Sequence, residues 1–141
     1  MLEHIPDPRE MLRNMSPLLA DEGQIIVEIP SSSDALLTIY QSDAFSRFTY
    51  WSCHLNLFNA HTLRLLAEQA GLCVNFIMQV QRYPLSNHLH WLAHGKPGGH
   101  KTWGFLDSPE LDAAYASSLG RVGACDTLIA GFGRGDDEST Q

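Results

Sequence analysis

The feature that most limits the fold is the run Gln24-Ile25-Ile26-Val27-Glu28-Ile29-Pro30 together with what precedes it. The run is apolar on both sides up to Glu28. That pattern reads as a strand stopped by its proline. Ahead of it, Asp7-Pro8-Arg9-Glu10 starts a helix. Asp7 can accept from a backbone N–H, Pro8 suits the first helical position, and Glu10 closes a capping box three residues on. Met11-Leu12 and Leu18-Leu19 give the helix an apolar face, so it is expected to run to Ala20, and Asp21-Glu22-Gly23 makes the turn. Leu2-Glu3-His4-Ile5 reads as the end of an earlier buried strand. Strand end, helix and strand compose a βαβ unit. Ligands of open α/β sheets bind beyond the carboxyl ends of the strands, which here are Leu2-Glu3-His4 and Ile29-Pro30-Ser31.

The same reading extends along the chain. Ser31 to Asp34 is a loop or helix cap, and Ala35, Leu36, Leu37 and Tyr40 make a short helix. Phe45, Phe48, Tyr50 and Trp51 fit neither period; they read as a partly ordered lid over an apolar ligand, or as core. Asn59 caps a helix stapled by Phe58 and Leu63, lined by Leu63, Leu66, Ala67 and Ala70, and ended by Gly71. Cys73 to Val80 is a strand. A segment rich in His, Trp and Gly follows, with a helical turn from Asn87 to Ala93. Ser108-Pro109-Glu110 caps a helix through Leu119, and Asp126 to Phe132 is the last strand. Such alternation predicts an α/β sheet with helices on its faces, formed by residues 1–132. The last two strands are open to antiparallel pairing. Residues 133–141 are polar and Gly-rich and read as a disordered tail.

Composition narrows the function. The 141 residues carry a net charge of −7, which argues against nucleic acid, since phosphate binding needs clustered Lys and Arg. No apolar run is long enough to span a membrane. Three widely spaced cysteines do not form a disulfide framework and fit a reducing, cytoplasmic setting.

Leu2-Glu3-His4-Ile5-Pro6-Asp7-Pro8, then Leu18-Leu19, then Gly23 to Pro30, resembles the second half of class I S-adenosylmethionine-dependent methyltransferases. His54-Leu55-Asn56-Leu57-Phe58, Thr62-Leu63 and Ala70-Gly71-Leu72 extend the likeness, and Asp126 to Ala130 resembles the family's final, antiparallel strand. The resemblance implies a partial Rossmann-like sheet, methyl transfer to a small-molecule O, N or C acceptor, and S-adenosylmethionine as cofactor. In that family a glycine-rich turn in the first half of the domain holds the cofactor. Here Gly131-Phe132-Gly133-Arg134-Gly135 opens no helix, so weak cofactor binding and an inactive fragment are expected. The rival expectation is a non-catalytic half-domain that pairs through an exposed strand edge as a homodimer.

The resemblance also nominates residues. Leu2 and Glu3 would face the cofactor. His4 and His54 are the candidate catalytic groups, because imidazole titrates near neutral pH and suits proton abstraction. The alternative for His54 is a hydrogen bond holding its loop to the sheet. Ser31, Tyr50, Trp51 and Asn56 would contact the acceptor. Glu3-His4 matches the end of a Glu-x-x-Glu-His pattern by which some enzymes of this class hold a divalent metal, yet no metal site is expected. His88, His90, His94 and His100 lack a partnering Cys or carboxylate and read as a surface or substrate-loop cluster.

Overall fold

A computed structural model describes residues 1–51 and 53–135. The elements are α1 (Pro8–Met15), β1 (Ile25–Pro30), α2 (Ala35–Thr38), α3 (Asp43–Thr49), α4 (Ala60–Gln69), β2 (Leu72–Val80), α5 (Leu85–His94), α6 (Gly99–Thr102), α7 (Pro109–Arg121) and β3 (Thr127–Arg134). The caps form as the residue types dictate. Asp7 accepts from Glu10 N–H at 2.8 Å, Ser108 from Leu111 N–H at 3.2 Å, and Asn59 with Thr62 closes a reciprocal capping box.

The three-stranded sheet is antiparallel throughout, with order β1-β3-β2. β3 lies in the centre and runs antiparallel to both neighbours, so β1 and β2 run the same way. Register pairs Val27 with Ala130 and Ile77 with Ala130, with an irregularity between Val74 and Phe76. On one face Ile25, Ile29, Leu128, Ala130 and Phe132 pack against Leu12 of α1 and Leu63 and Ala67 of α4. A smaller cluster of Ala35, Leu119, Ala124 and Cys125 joins α2 and α7 near the sheet. The opposite sheet face is more open: Ile26 is 58% and Met78 49% exposed.

Three expectations need correcting. Leu2–His4 is a 3-10 turn, not a strand end. A strand needs a ladder partner for each N–H and C=O. Here His4 N–H donates to Met1 C=O and Ile5 N–H to Leu2 C=O, while Glu3 C=O accepts from Leu55 and Asn56. Leu2 nevertheless stays buried against the Ile25–Ile29 core. The first helix ends at Met15, because Pro17 removes the N–H that the next turn requires, and Ser16–Leu18 tightens into 3-10 geometry. Gly133 and Arg134 belong to β3 rather than to a tail. The rest of that tail, from residue 136, lies outside the described residues. Among the described residues no helix is long and apolar enough to cross a membrane.

Candidate functional site

The carboxyl end of β1 opens into a cleft of about 740 Å³. Ile29, Pro30 and Ser31 form its sheet wall. Asp34 of the following cap, Phe45 and Phe48 of α3, His54, and Asn87, His88 and Trp91 of α5 close the other sides. The start of β3 contributes Asp126 and Thr127, and the end of β2 leads into Arg82 and Tyr83. The carboxyl end of β1, the segment that follows β2 and the start of β3 thus meet at one end of the sheet.

Asp126 holds this end together. Its Oδ1 accepts from Arg82 N–H at 3.0 Å and from the Thr127 hydroxyl at 2.7 Å; its Oδ2 accepts from Arg82 N–H at 3.0 Å and Tyr83 N–H at 2.9 Å. Its C=O accepts from Ser31 N–H at 2.8 Å. Burial pushes its carboxyl above the ordinary range, against the pull of these hydrogen bonds and of the Arg82 charge. Asp34 is 5% exposed. Its Oδ1 accepts from Leu36 N–H at 2.7 Å, which caps α2. Burial, then the nearby Asp126 charge, raises its pKa to about 7 despite that bond.

A polar chain runs behind the cleft. Gln81 Nε2 approaches His88 Nε2 at 3.3 Å, His88 Nδ1 lies 2.7 Å from Tyr115 Oη, and Tyr115 Oη lies 2.9 Å from Tyr40 Oη. Gln81 Oε1 accepts from Asp126 N–H, and the Gln81 amide nitrogen can only donate, so His88 Nε2 accepts and Nδ1 carries the proton. Burial holds His88 neutral, with its pKa lowered to about 4. Burial also raises the Tyr115 phenol, and its bond to Tyr40 adds to the shift.

His54 is half-buried, and its Nδ1 lies 2.6 Å from Thr49 C=O. A carbonyl only accepts, so Nδ1 bears the hydrogen and Nε2 keeps its lone pair. His4 is tied in the same way to Cys53 C=O, and its ring lies 5.1 Å from that of His54. Asn56 donates its side-chain N–H to Ile5 C=O at 2.7 Å, which clamps the 53–56 segment to the chain's first turn. The clamp brings His4, Cys53 and His54 together, with one donor atom from each within 4.8 Å of the others. Two imidazoles and a thiol are donors of the kind borderline-soft divalent ions take.

The expected site residues therefore separate. Ser31 and His54 line the cleft. Leu2 is core, and Glu3 is buried beside His4, with Oε1 3.3 Å from His4 Nε2. Asn56 has spent its amide on the clamp. Tyr50 and Trp51 point outward, 58% and 65% exposed, away from the cleft lining. The aromatic wall comes instead from Phe45, Phe48 and Trp91, whose ring centroids lie 5.1–6.2 Å apart. The later histidines divide: His88 lines the cleft, while the His90 and His94 rings lie 4.6 Å apart and both pack on Trp103, with His90 Nδ1 bonded to Lys96 C=O. Asp34 and Asp126 were legible only as a cap and a strand start.

Comparison with known proteins adds one match. The sequence model described as "Methyltransferase domain" covers residues 1–75, which take in β1, His54 and α4. Among curated proteins no match is found. With more than half of its 141 residues matched, the chain belongs to the methyltransferase domain family.

Proposed function

We propose that this chain supplies the acceptor side of an S-adenosylmethionine-dependent methyltransferase that acts on a small molecule. The observation that carries the reading is His54. Its Nδ1 is committed to Thr49 C=O, and it lines a roomy cleft at the carboxyl end of β1. In this reading its Nε2 takes the proton from the acceptor's O, N or C nucleophile, and Ser31 with the aromatic wall sets the acceptor's orientation.

The cofactor, when bound, supplies an electrophilic methyl group. The described residues do not build its cradle. Gly131 and Gly133 lie within β3, and a Cβ on Gly131 would meet the Phe76 ring at 2.4 Å. A glycine there serves strand packing, not a turn that admits a ligand. The chain alone therefore binds the cofactor weakly in this reading and is inactive at micromolar donor.

The test is transfer from radiolabelled S-adenosylmethionine, at saturating donor, to a panel of small hydroxyl and amino acceptors. His54→Ala is expected to lower turnover about 100-fold and leave donor affinity unchanged. Transfer that survives unchanged in His54→Ala would sink the catalytic reading.

A second reading is favoured by β1. It stands at the sheet edge, and Ile26 and Met78 expose apolar surface on one face of the sheet. An unpaired edge beside such a surface seeks another chain. The reading is an interaction module that forms a homodimer in the cytoplasm. Light scattering at tens of micromolar protein is expected to give twice the chain mass, and a clean monomer would remove it.

A further inference from the structure

We propose that the cleft anchors its ligand by a protonated amine, held between the Asp34 carboxylate and the Phe45, Phe48 and Trp91 rings. The inference rests on the acceptor-cleft reading for its place in catalysis, though not for the binding itself.

The starting point is an incomplete carboxylate. Asp34 is 5% exposed and lines the cleft. Its Oδ1 is taken by Leu36 N–H, and among the described residues no donor reaches its Oδ2. Oδ2 is not among the buried unpartnered atoms, so it meets the open cleft, where a proton or a cation can complete it. In the free protein a proton can do so, in keeping with a pKa near 7. An ammonium group does the same while keeping the carboxylate charged, and its hydrogen bond is then charge-assisted.

The surroundings select the sign of the ligand. Asp126 adds a second buried carboxyl to the same wall. Of the basic groups there, Arg82 is spent on Glu28 at 2.6 Å, and His88 is neutral at physiological pH. An anionic ligand would meet two carboxyls and no free strong cation. The wall also holds three packed rings: Phe45 and Phe48 each lie within 5.2 Å of Trp91, centroid to centroid. Aromatic faces attract an alkylammonium and also accommodate the apolar body it is attached to. A carboxylate, an aromatic wall and an apolar sheet end together describe an amine with a hydrophobic skeleton. His54 stays available for a proton on another atom of the same ligand.

The experiment compares three probes of one shape on the full chain: 3-phenylpropylamine, 3-phenylpropan-1-ol and 3-phenylpropanoate. Binding is followed by amide chemical-shift titration at about pH 8, where the amine is still protonated and a carboxyl of pKa near 7 is charged. The amine is expected to bind about tenfold more tightly than the alcohol, with shifts around Asp34 and Trp91, and the acid more weakly than either. Asp34→Asn keeps an acceptor for Leu36 N–H and so keeps the cap. It is expected to bring the amine down to the alcohol's affinity. Equal binding of amine and alcohol by the unmodified protein, or an amine preference that survives Asp34→Asn, overturns the proposal. The comparison of probes on the unmodified protein decides the matter even if the variant folds poorly. No donor is present, so failure of methyl transfer leaves this result standing. A protein that transfers methyl groups without amine preference removes the anchor alone.

Discussion

Asp126→Ala is expected to lower the unfolding free energy by about 3–5 kcal/mol, because it strips the acceptor from donors that have no other partner. The backbone N–H groups of Arg82 and Tyr83 and the Thr127 hydroxyl all converge on this carboxylate. They are held where β2 leaves the sheet and β3 enters it, and water cannot easily replace a carboxylate that is 6% exposed. A domain of ordinary stability has about 5–15 kcal/mol in total, so the loss is a large share of it. Asp126→Asn separates hydrogen bonding from charge. One amide oxygen still accepts, but the –NH2 then faces a backbone donor, so about half the loss should remain. Urea unfolding of the three proteins reads the midpoints. A cost below about 1 kcal/mol for Asp126→Ala would show that the donors find water instead. The strand ends would then not depend on this residue, and neither would the shape of the cleft.

Why Asp126 was invisible in the sequence, when Asp7 and Asn59 were plain, is a matter of range. A helix cap works over two or three residues, and Asp7-Pro8 with Glu10, or Asn59 with Thr62, carries its own geometry. Asp126 acts on residues more than forty positions away, and no local pattern encodes that. Asp34 shows the same limit from the other side. Its capping role is local and legible, yet the loop of Ser31 to Asp34 also turns it into the cleft, which only the tertiary fold reveals. The central place of β3 is similar. Its last residues, Ala130-Gly131-Phe132-Gly133, look like a glycine loop. They are strand because Phe76 covers Gly131 and Cys73 lies against Gly133, 3.0 Å from where a Cβ would sit. Leu2–His4 has the composition of a strand without the ladder partner that would make it one. His54 was found because it precedes the Asn59 cap in a recognisable order; its partner Thr49 C=O belongs to α3, whose mixed aromatic pattern gave no clear period.

The second large effect is in the pH dependence of stability, where two buried groups of the cleft work against each other. Asp34 has its pKa raised from 3.8 to about 7, so the folded protein binds a proton that the unfolded chain has released. Stability from this group falls as pH rises from about 4 through 7. His88 has its pKa lowered from 6.5 to about 4, so the unfolded chain binds a proton that the folded protein refuses. Stability from this group falls as pH drops from about 6.5 through 4. The full shifts correspond to about 4 kcal/mol for Asp34 and about 3 kcal/mol for His88, so across the shared window the two slopes largely offset one another. The raised Asp126 carboxyl leans the same way as Asp34. Removing one partner should expose the other. Asp34→Asn is expected to lose up to about 3 kcal/mol on acidification from pH 7 to 4, the slope that His88 imposes less what the raised Asp126 carboxyl returns. His88→Gln should do the reverse and become more stable over the same interval, since Gln cannot take up a proton and the raised Asp34 and Asp126 carboxyls then act unopposed. Urea midpoints at a series of pH values give both slopes directly. If Asp34→Asn and the unmodified protein follow the same curve, the Asp34 carboxyl titrates in the folded protein as it does in water. Burial of the side chain then does not penalise its charge.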